Sequence, residues 1–317
     1  MNSTSKTGDR TPVLIVGGGP VGLALAADLG WRGVPCLVVE QGASDLFINH
    51  PRANFVNNRS MEFCRRWGIA ERVREVATAP DYPHTAMYVT SMNGYEIARI
   101  ERPDHGGDAA VPYSPEAAQR CNQIWFDPVV RALAQSQDSV TLRFECRFES
   151  FEQDEDGVTA EITDLKSGTR ETIRAEYLIA CCGGHSPIRD SLGIGMEGQP
   201  VLGCPMSIYF RAEDIWRYHD KGKGVLHFIV GPEGVWATLN SLNGGDFWRV
   251  TLHGSTAKMD PASVDADAIL KRIVGVDFPY EVLSVTSWTR RELVASQYQF
   301  GRVFLAGDAA HQNTPTG

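Results

Sequence analysis

The sequence feature that most constrains this chain's fold is a glycine-rich turn enclosed by two apolar segments. Residues 13–16 form a short apolar run, the glycines of residues 17–22 follow directly, and residues 21–29 then carry apolar side chains at helical spacing. This order predicts a strand, a tight turn and a helix. A further apolar run at residues 34–40 predicts a second strand.

The spacing of the glycines favours a phosphate-binding turn. Gly17, Gly19 and Gly22 follow the G-x-G-x-x-G pattern, with Pro20 inside it. The first glycine permits the tight turn, the second lets a pyrophosphate approach the backbone, and the third lets helix and strand pack closely. The N–H groups at the helix N-terminus then face the phosphates.

Glu40 stands at the end of the second predicted strand, followed by Gln41. A carboxylate at this position can accept hydrogen bonds from ribose hydroxyls, and it disfavours NADP because it would repel a 2′-phosphate. The alternative is a purely structural glycine turn beside a surface glutamate.

A second candidate motif lies at residues 302–311, where an apolar strand ends in Gly307-Asp308. Asp308 can either cap the following helix, since Asp is a favoured N-cap residue, or hold the hydroxyls of a ribityl chain. His311 is interpreted as a packing or polar lining residue rather than a proton carrier.

Five motifs occur in one order along nearly the whole chain: the glycine turn with Glu40, Pro-Arg-Ala at residues 51–53, Arg-x-x-Gln at residues 120–123, residues 177–189, and residues 307–311. Together they resemble the class A flavoprotein aromatic hydroxylases, the family of para-hydroxybenzoate and phenol hydroxylases. The resemblance implies an α/β fold, in which a Rossmann-like FAD-binding domain carries an inserted antiparallel-sheet substrate domain.

The resemblance also implies roles for individual residues. Glu40 would bind the adenosine ribose, Arg52 the pyrophosphate region, Gln123 a sugar part of FAD and Asp308 the ribityl chain, with Pro315 beside the flavin ring. The alternative for Arg52 is a solvated surface charge, and the alternative for Gln123 is a surface amide. The full set of expected cofactor-binding residues is Gly17, Gly19, Pro20, Gly22, Glu40, Gln41, Arg52, Arg120, Gln123, Gly307, Asp308 and Pro315.

The implied reaction is aromatic hydroxylation, in which NAD(P)H reduces FAD and O₂ then forms a C4a-hydroperoxyflavin that transfers OH to an electron-rich ring. No side chain needs to act as a nucleophile, so no catalytic residue is identified. Rival interpretations are another flavin oxidoreductase on the same fold and a noncatalytic FAD-binding protein. The tryptophan-bearing motif expected of a flavin halogenase is not found.

Four strand-like runs between residues 206 and 253 predict one antiparallel sheet that supplies the substrate wall. Alternation would place Trp236, Thr238 and Asn240 on one face, which makes Trp236 and Asn240 candidate substrate contacts. Core packing is the alternative for Trp236 and for Trp248. We assign residues 1–79, 114–200 and 289–317 to the FAD-binding domain and residues 80–113 and 201–288 to the substrate domain.

Composition excludes several other functions. A net charge of −9 and a pI near 5.4 disfavour nucleic acid or anionic membranes as partners. The start of the chain lacks the pattern of a secretory signal, no run of about 18 apolar residues occurs, and the seven cysteines have no C-x-x-C spacing. These features predict a cytoplasmic protein with reduced thiols and no metal site. A homodimer is one oligomeric state open to it.

The chain departs from the family at two places. Cys182 stands where the family usually has Asp, although Ser186 and Arg189 still match, and the chain stops at residues 314–317, where the family continues into a glycine-rich turn and a helix. We expect the source chain to be longer.

Restoring the family residue tests the first departure. Because Cys181 and Gly184 make this segment small and apolar, Cys182→Asp would bury a carboxylate without a partner, at a cost on the order of a few kcal/mol of folding free energy. The unfolding midpoint, FAD affinity and anaerobic flavin reduction rate are to be measured beside the parent. A variant of equal stability that reduces faster would contradict this expectation.

Overall fold

The computed structural model describes residues 10–44, 50–101 and 112–315. The strands are, in chain order, β1 Arg10–Val16, β2 Cys36–Val39, β3 Ala86–Val89, β4 Glu96–Ile100, β5 Val140–Arg143, β6 Cys146–Gln153, β7 Val158–Asp164, β8 Arg170–Ala180, β9 Met196–Gly203, β10 Met206–Arg211, β11 Leu226–Gly231, β12 Gly234–Ser241, β13 Phe247–Leu252, β14 Glu281–Ser287, β15 Arg290–Ala295, β16 Gln299–Phe300, β17 Val303–Leu305 and β18 His311–Gln312. The helices are α1 Pro20–Trp31, α2 Asn58–Arg66, α3 Ala70–Val76, α4 Gln123–Gln135, α5 Pro187–Ser191 and α6 Ala266–Val274, with 3₁₀ helices at Ile215–Tyr218, Pro261–Ser263 and Gly307–Ala309. None of the helices described has the length and apolar composition that a membrane crossing requires.

The chain divides into two compact units. Unit 1 comprises residues 1–46, 127–200 and 292–317, and unit 2 comprises residues 47–126 and 201–291. This division differs from the predicted grouping at residues 289–291 and at the two longer segments 47–79 and 114–126, all of which lie in unit 2. The two longer segments are joined to each other by backbone hydrogen bonds, from Thr78 N to the Arg120 carbonyl, from Gln123 N to the Ala53 carbonyl, and in both directions between Val56 and Gln119. Which unit serves which function stays a prediction.

Unit 1 is built on a sheet with the strand order β16-β17-β8-β1-β2-β5. Strand β1 pairs in parallel with β2 on one side and β8 on the other, and β17 continues the sheet parallel to β8. Parallel strands are covered on both faces and therefore read as continuous apolar runs, as β1 and β2 do. Strands β6 and β7 extend the sheet from β8 as an antiparallel meander.

The connection from β1 to α1 explains two of the three patterned glycines. Gly17 has a φ of +111°, and a Cβ there would collide with the backbone carbonyl of Cys181 at the end of β8. A Cβ on Gly22 would collide with the carbonyl oxygen of Gly17. Both glycines are therefore needed for α1 to pack closely against β1 and β8.

Unit 2 contains a seven-stranded sheet in the order β14-β10-β13-β12-β11-β3-β4. All neighbours are antiparallel except β3 and β11. One face packs with α6 in a core that includes Phe210, Leu239 and the fully buried Trp248. The four predicted runs correspond to β10, β11, β12 and β13.

Two glycines of the turn and of α1 allow a paired stability test. In Gly22→Ala the methyl group meets backbone atoms that cannot move aside, so we expect a loss of about 1–3 kcal/mol in the unfolding free energy of the apoprotein. The loss should appear although Ala is the better helix residue by about 1 kcal/mol.

Gly19→Ala is the matched control. Its φ of −74° suits any residue and a Cβ there meets no atom within 4 Å, so stability should change by less than about 1 kcal/mol. Thermal and urea unfolding of both apoproteins measure these changes in unfolding free energy. Equal stability of the two variants would refute the packing role of Gly22.

Candidate functional site

Glu40 is held against the glycine turn by two backbone donors. Its Oε2 accepts from Gly18 N at 2.7 Å and its Oε1 accepts from Gly42 N at 2.7 Å. Each carboxylate oxygen retains capacity for further donors, since an ionised carboxylate offers about four lone-pair sites. The half-buried Glu40 thus presents acceptors beside the turn, with Gln41 exposed next to it.

The N-terminus of α1 is open for an anion. Gly19 is its N-cap in extended conformation, no side chain caps the helix, Pro20 occupies the first turn, and that turn holds no acidic residue. A Cβ on Gly19 would meet nothing within 4 Å, so the backbone there borders open space. These features fit the pyrophosphate of FAD, because uncapped N–H groups and the helix dipole favour a phosphate.

The Gly307-Asp308 motif lies beside this helix terminus. A Cβ on Gly307 would come within 2.9 Å of the Val21 side chain in the first turn of α1. The N-cap of the 3₁₀ helix Gly307–Ala309 is Ala306, so Asp308 is not the cap residue. The Asp308 side chain is exposed, and no hydrogen bond to it occurs among the described residues. A carboxylate and the helix N-terminus therefore border the same part of unit 1.

Residues 181–189 join the two motifs. Cys182 Sγ donates to Ser186 Oγ at 3.0 Å, and Ser186 Oγ also accepts from Arg189 N at 3.1 Å. The buried Arg189 donates to the carbonyl oxygens of Gly184 at 3.1 Å and Ala309 at 3.4 Å. This guanidinium links the end of β8 to the Gly307-Asp308 segment.

The adjacent cysteines are both free thiols. Burial raises the pKa of Cys181 to about 12 and also raises the pKa of Cys182. Both side chains are therefore neutral near pH 7, and neither supplies the charge that the family's Asp carries.

The remaining predicted cofactor residues are divided between the two units. Arg52 is exposed, Arg120 is half-buried and Gln123 begins α4, all in unit 2. The segments that carry them contact each other, since Gln123 N donates to the Ala53 carbonyl at 2.8 Å. Pro315 is exposed in unit 1.

The two predicted substrate contacts, Trp236 and Asn240, were expected on one face of the sheet but lie on opposite faces. Asn240 and Thr238 point away from the core side of β12, as alternation requires. Trp236 instead packs with that core, and the Arg272 guanidinium of α6 lies 3.9 Å from the centroid of its ring. The expectation of one face for all three side chains was wrong for Trp236.

A β-bulge explains this error. Ile229 pairs with Ala237 and Val230 pairs with Val235, so Trp236 is the extra residue of β12. A bulge breaks the two-residue alternation and redirects the side chain at that position. The packing alternative for Trp236 agrees with the structure.

Sequence reasoning missed Arg249 on β13. It pairs with Asn240 on β12 and with Tyr209 on β10, so all three residues share one face. Its Nη1 donates to the carbonyl oxygens of Pro51 at 3.0 Å and Arg52 at 2.5 Å. A single charged residue inside the apolar run of residues 247–252 was the signal that could have identified it.

Comparison with known proteins places these features in a family. A family model described as "FAD binding domain" matches residues 10–317. A putative polyketide hydroxylase of Streptomyces halstedii is 34% identical over 313 residues, which cover 97% of this chain and 56% of the relative.

Two solved structures resemble the chain closely. The rebeccamycin biosynthetic enzyme RebC, with reduced flavin, has a TM-score of 0.87 and 37% identity over 98% of this chain and 57% of its own. The flavin-dependent monooxygenase PieE, in complex with FAD and substrate, has a TM-score of 0.86 and 34% identity over 96% of this chain and 54% of its own. The chain therefore spans little more than half the length of the relatives it matches.

The predicted resemblance, the fold class and FAD as the cofactor are confirmed by these matches. Because the family model covers nearly all of its residues, the chain belongs to the FAD-binding domain family of the class A aromatic hydroxylases.

Proposed function

We propose that this chain is the FAD-binding and substrate-binding part of a monooxygenase that hydroxylates an electron-rich aromatic substrate with NAD(P)H and O₂. The observation that carries the proposal is the convergence in unit 1 of an uncapped helix N-terminus, the Glu40 carboxylate and the exposed Asp308 carboxylate. The names of the relatives, a polyketide hydroxylase and a flavin-dependent monooxygenase, support the hydroxylation.

The residues of unit 1 divide the cofactor between them. The backbone from Gly17 to Gly22 and the first turn of α1 receive the pyrophosphate, and Glu40 accepts hydrogen bonds from the adenosine ribose. Asp308 accepts from the ribityl hydroxyls. The other proposed contacts are Gln41, Arg52, Arg120, Gln123, Gly307 and Pro315.

The bound flavin, once reduced by NAD(P)H, supplies the activation of O₂ that hydroxylation needs. The chain's own residues bind FAD, orient the cofactor and the substrate, and exclude water. Asp308 would hold the ribityl chain, while the face of the unit 2 sheet that carries Thr238 and Asn240, opposite the α6 core, would form the wall that excludes water from the substrate. No residue is proposed to form a covalent bond with the substrate.

We also propose a cytoplasmic location, with O₂, NAD(P)H and a small aromatic compound as partners. The seven free thiols support a reducing compartment. A homodimer is compatible with this proposal.

Turnover assays on the full-length protein test the function. The purified protein should release FAD and not FMN, because Glu40 and the glycine turn serve an adenosine diphosphate group that FMN lacks. A panel of phenols and polycyclic hydroxyarenes should accelerate NAD(P)H oxidation, with hydroxylated product detected by mass spectrometry. Protein that contains FMN alone, or NAD(P)H oxidation that yields only hydrogen peroxide with every compound, would overturn the proposal.

Asp308→Ala tests the cofactor contact. Loss of a hydrogen bond to a charged acceptor, about 1–3 kcal/mol, should weaken FAD binding by about 5- to 150-fold. Asp156→Ala, at an exposed carboxylate in the turn between β6 and β7, is the matched control and should leave FAD binding unchanged. Dissociation constants from fluorescence titration of the apoproteins decide between them, and an unchanged constant for Asp308→Ala would remove it from the site.

A further inference from the structure

A strap, which comprises residues 214–224, packs against the core that the unit 2 sheet shares with α6. Ile215 is fully buried in this core, and the ring of Trp216 lies 4.8 Å from that of Trp248. The backbone has a positive φ at Asp214, +45°, and again at Gly222, +77°. A positive φ is uncommon for a residue other than glycine. These two positions suit a hinge, because a few residues that absorb a change of φ and ψ let the segment between them move.

Three hydrogen bonds attach the strap to residues outside it. Arg99 Nη2, on the edge strand β4, donates to the Lys221 carbonyl at 2.7 Å, and Lys221 Nζ donates to the Met92 carbonyl at 3.0 Å. Tyr82 Oη donates to the Gly224 carbonyl at 3.3 Å. Segments held by few bonds open at a lower free energy than the strands of a sheet. The strap can therefore leave while the strands beneath it stay paired.

His227 of β11 lies against the strap and is only 1% exposed. A Cβ on Gly224 would lie 3.6 Å from its Nε2, and its ring centroid is 5.6 Å from that of Trp216 and 6.5 Å from that of His219. Neither ring nitrogen of His227 has a hydrogen-bond partner among the described residues. Because these three neighbours all belong to the strap, its departure uncovers the imidazole of His227.

The surroundings of His227 do not stabilise a protonated ring. Within the sheet it pairs with the apolar Met87 and Leu239. The charged groups near it on β4 are Glu96 and Arg99, and the Glu96 carboxylate already accepts from Arg99 at 3.0 and 2.8 Å. Burial is the main cause that lowers the pKa of His227 to about 3. A proton on this ring is therefore unfavourable while the strap is attached.

His219 is the corresponding imidazole on the strap itself. Its Nδ1 accepts from Lys221 N at 3.2 Å, and its Nε2 is buried without a hydrogen-bond partner in the part of the chain that the structure describes. Burial, and after it the Lys221 ammonium, lowers the pKa of His219, while the exposed Asp220 acts in the opposite direction. The attached strap thus favours the neutral form of both imidazoles, which lie side by side.

We propose that residues 214–224 form an acid-released strap, in which protonation of His219 and His227 detaches the strap while the strands of the unit 2 sheet stay paired. Histidine pairs of this kind respond to pH because the detached form has the ordinary imidazole pKa of about 6.5 and binds protons that the attached form disfavours. Attachment is therefore fully favoured above about pH 6.5 and weakens as the pH falls below it. One imidazole raises the ratio of detached to attached protein about 30-fold between about pH 7.5 and about pH 5.

The strap lies behind the strand that also borders the proposed substrate wall. Phe228 follows His227 on β11 and pairs with Thr238 on the opposite face of the sheet. A strap that leaves β11 at acid pH therefore removes packing from behind this wall. The inference adds a pH response to unit 2 and does not depend on which reaction the unit serves.

Hydrogen exchange measured by mass spectrometry on the FAD-loaded, full-length protein tests the strap. Protection factors, corrected for the intrinsic effect of pH on exchange, are compared at about pH 7.5, 6 and 5. Protection of residues 214–224 should fall by about 10- to 30-fold across this range, while β10 to β13 keep theirs. The fall should begin near pH 6.5 and reverse when the pH is raised again.

Three results for the parent protein would overturn the inference. Protection of the strap that is equal at all three pH values would show that it is not released. An equal fall in the strap and in β10 to β13 would show acid unfolding of the whole sheet. A fall that begins only below about pH 5 would assign the response to carboxylates rather than to imidazoles.

Variants identify the histidines responsible. His227→Leu places an apolar side chain between Met87 and Leu239, and His219→Gln keeps an acceptor for Lys221 N. The double variant should lose the pH response, so that protection of the strap changes by less than about 3-fold.

His253→Gln is the matched control, because His253 follows β13 in the same unit and burial also lowers its pKa. This variant should keep the parent's response. A folded double variant that retains the full fall would refute the role of the histidine pair. If the double variant does not fold, the parent's exchange at the three pH values still decides whether the strap is released.

Discussion

Close backbone packing between α1, β1 and the end of β8 is the constraint on which the rest of unit 1 depends. Gly17 and Gly22 allow it, because a Cβ at either position would occupy space taken by a backbone carbonyl. The contact sets the direction of α1, and the side chain of Val21 in its first turn packs against Gly307. The N-terminus of α1 and the Gly307-Asp308 segment are thereby fixed relative to each other by chain packing.

The charged side chains singled out in the two units have opposite signs. Unit 1 presents the acceptors Glu40 and Asp308 together with uncapped backbone N–H groups, which suits a molecule that combines sugar hydroxyls with phosphates. Unit 2 instead holds the half-buried cation Arg249 beside the neutral amide of Asn240.

The sequence predicted those elements whose formation depends on residues that are close together in the chain. The turn from β1 to α1 and the four strands β10 to β13 follow from glycine spacing and periodicity. The position of Trp236 could not be predicted this way, because the bulge in β12 depends on how that strand pairs with β11. Arg249 was missed for a similar reason, since its contact with the Pro51 carbonyl joins segments that are far apart in the sequence.

The replacement of the family's Asp by Cys182 is compatible with the surrounding hydrogen bonds. Ser186 Oγ accepts from the thiol and from Arg189 N, so the turn into α5 keeps its cap without a carboxylate at position 182. The Arg189 charge is met by Asp190, and its other donors reach backbone carbonyls. An aspartate at position 182 is therefore not required to neutralise Arg189. The thiol at this position leaves the region between β8 and Asp308 without the negative charge that an aspartate would add.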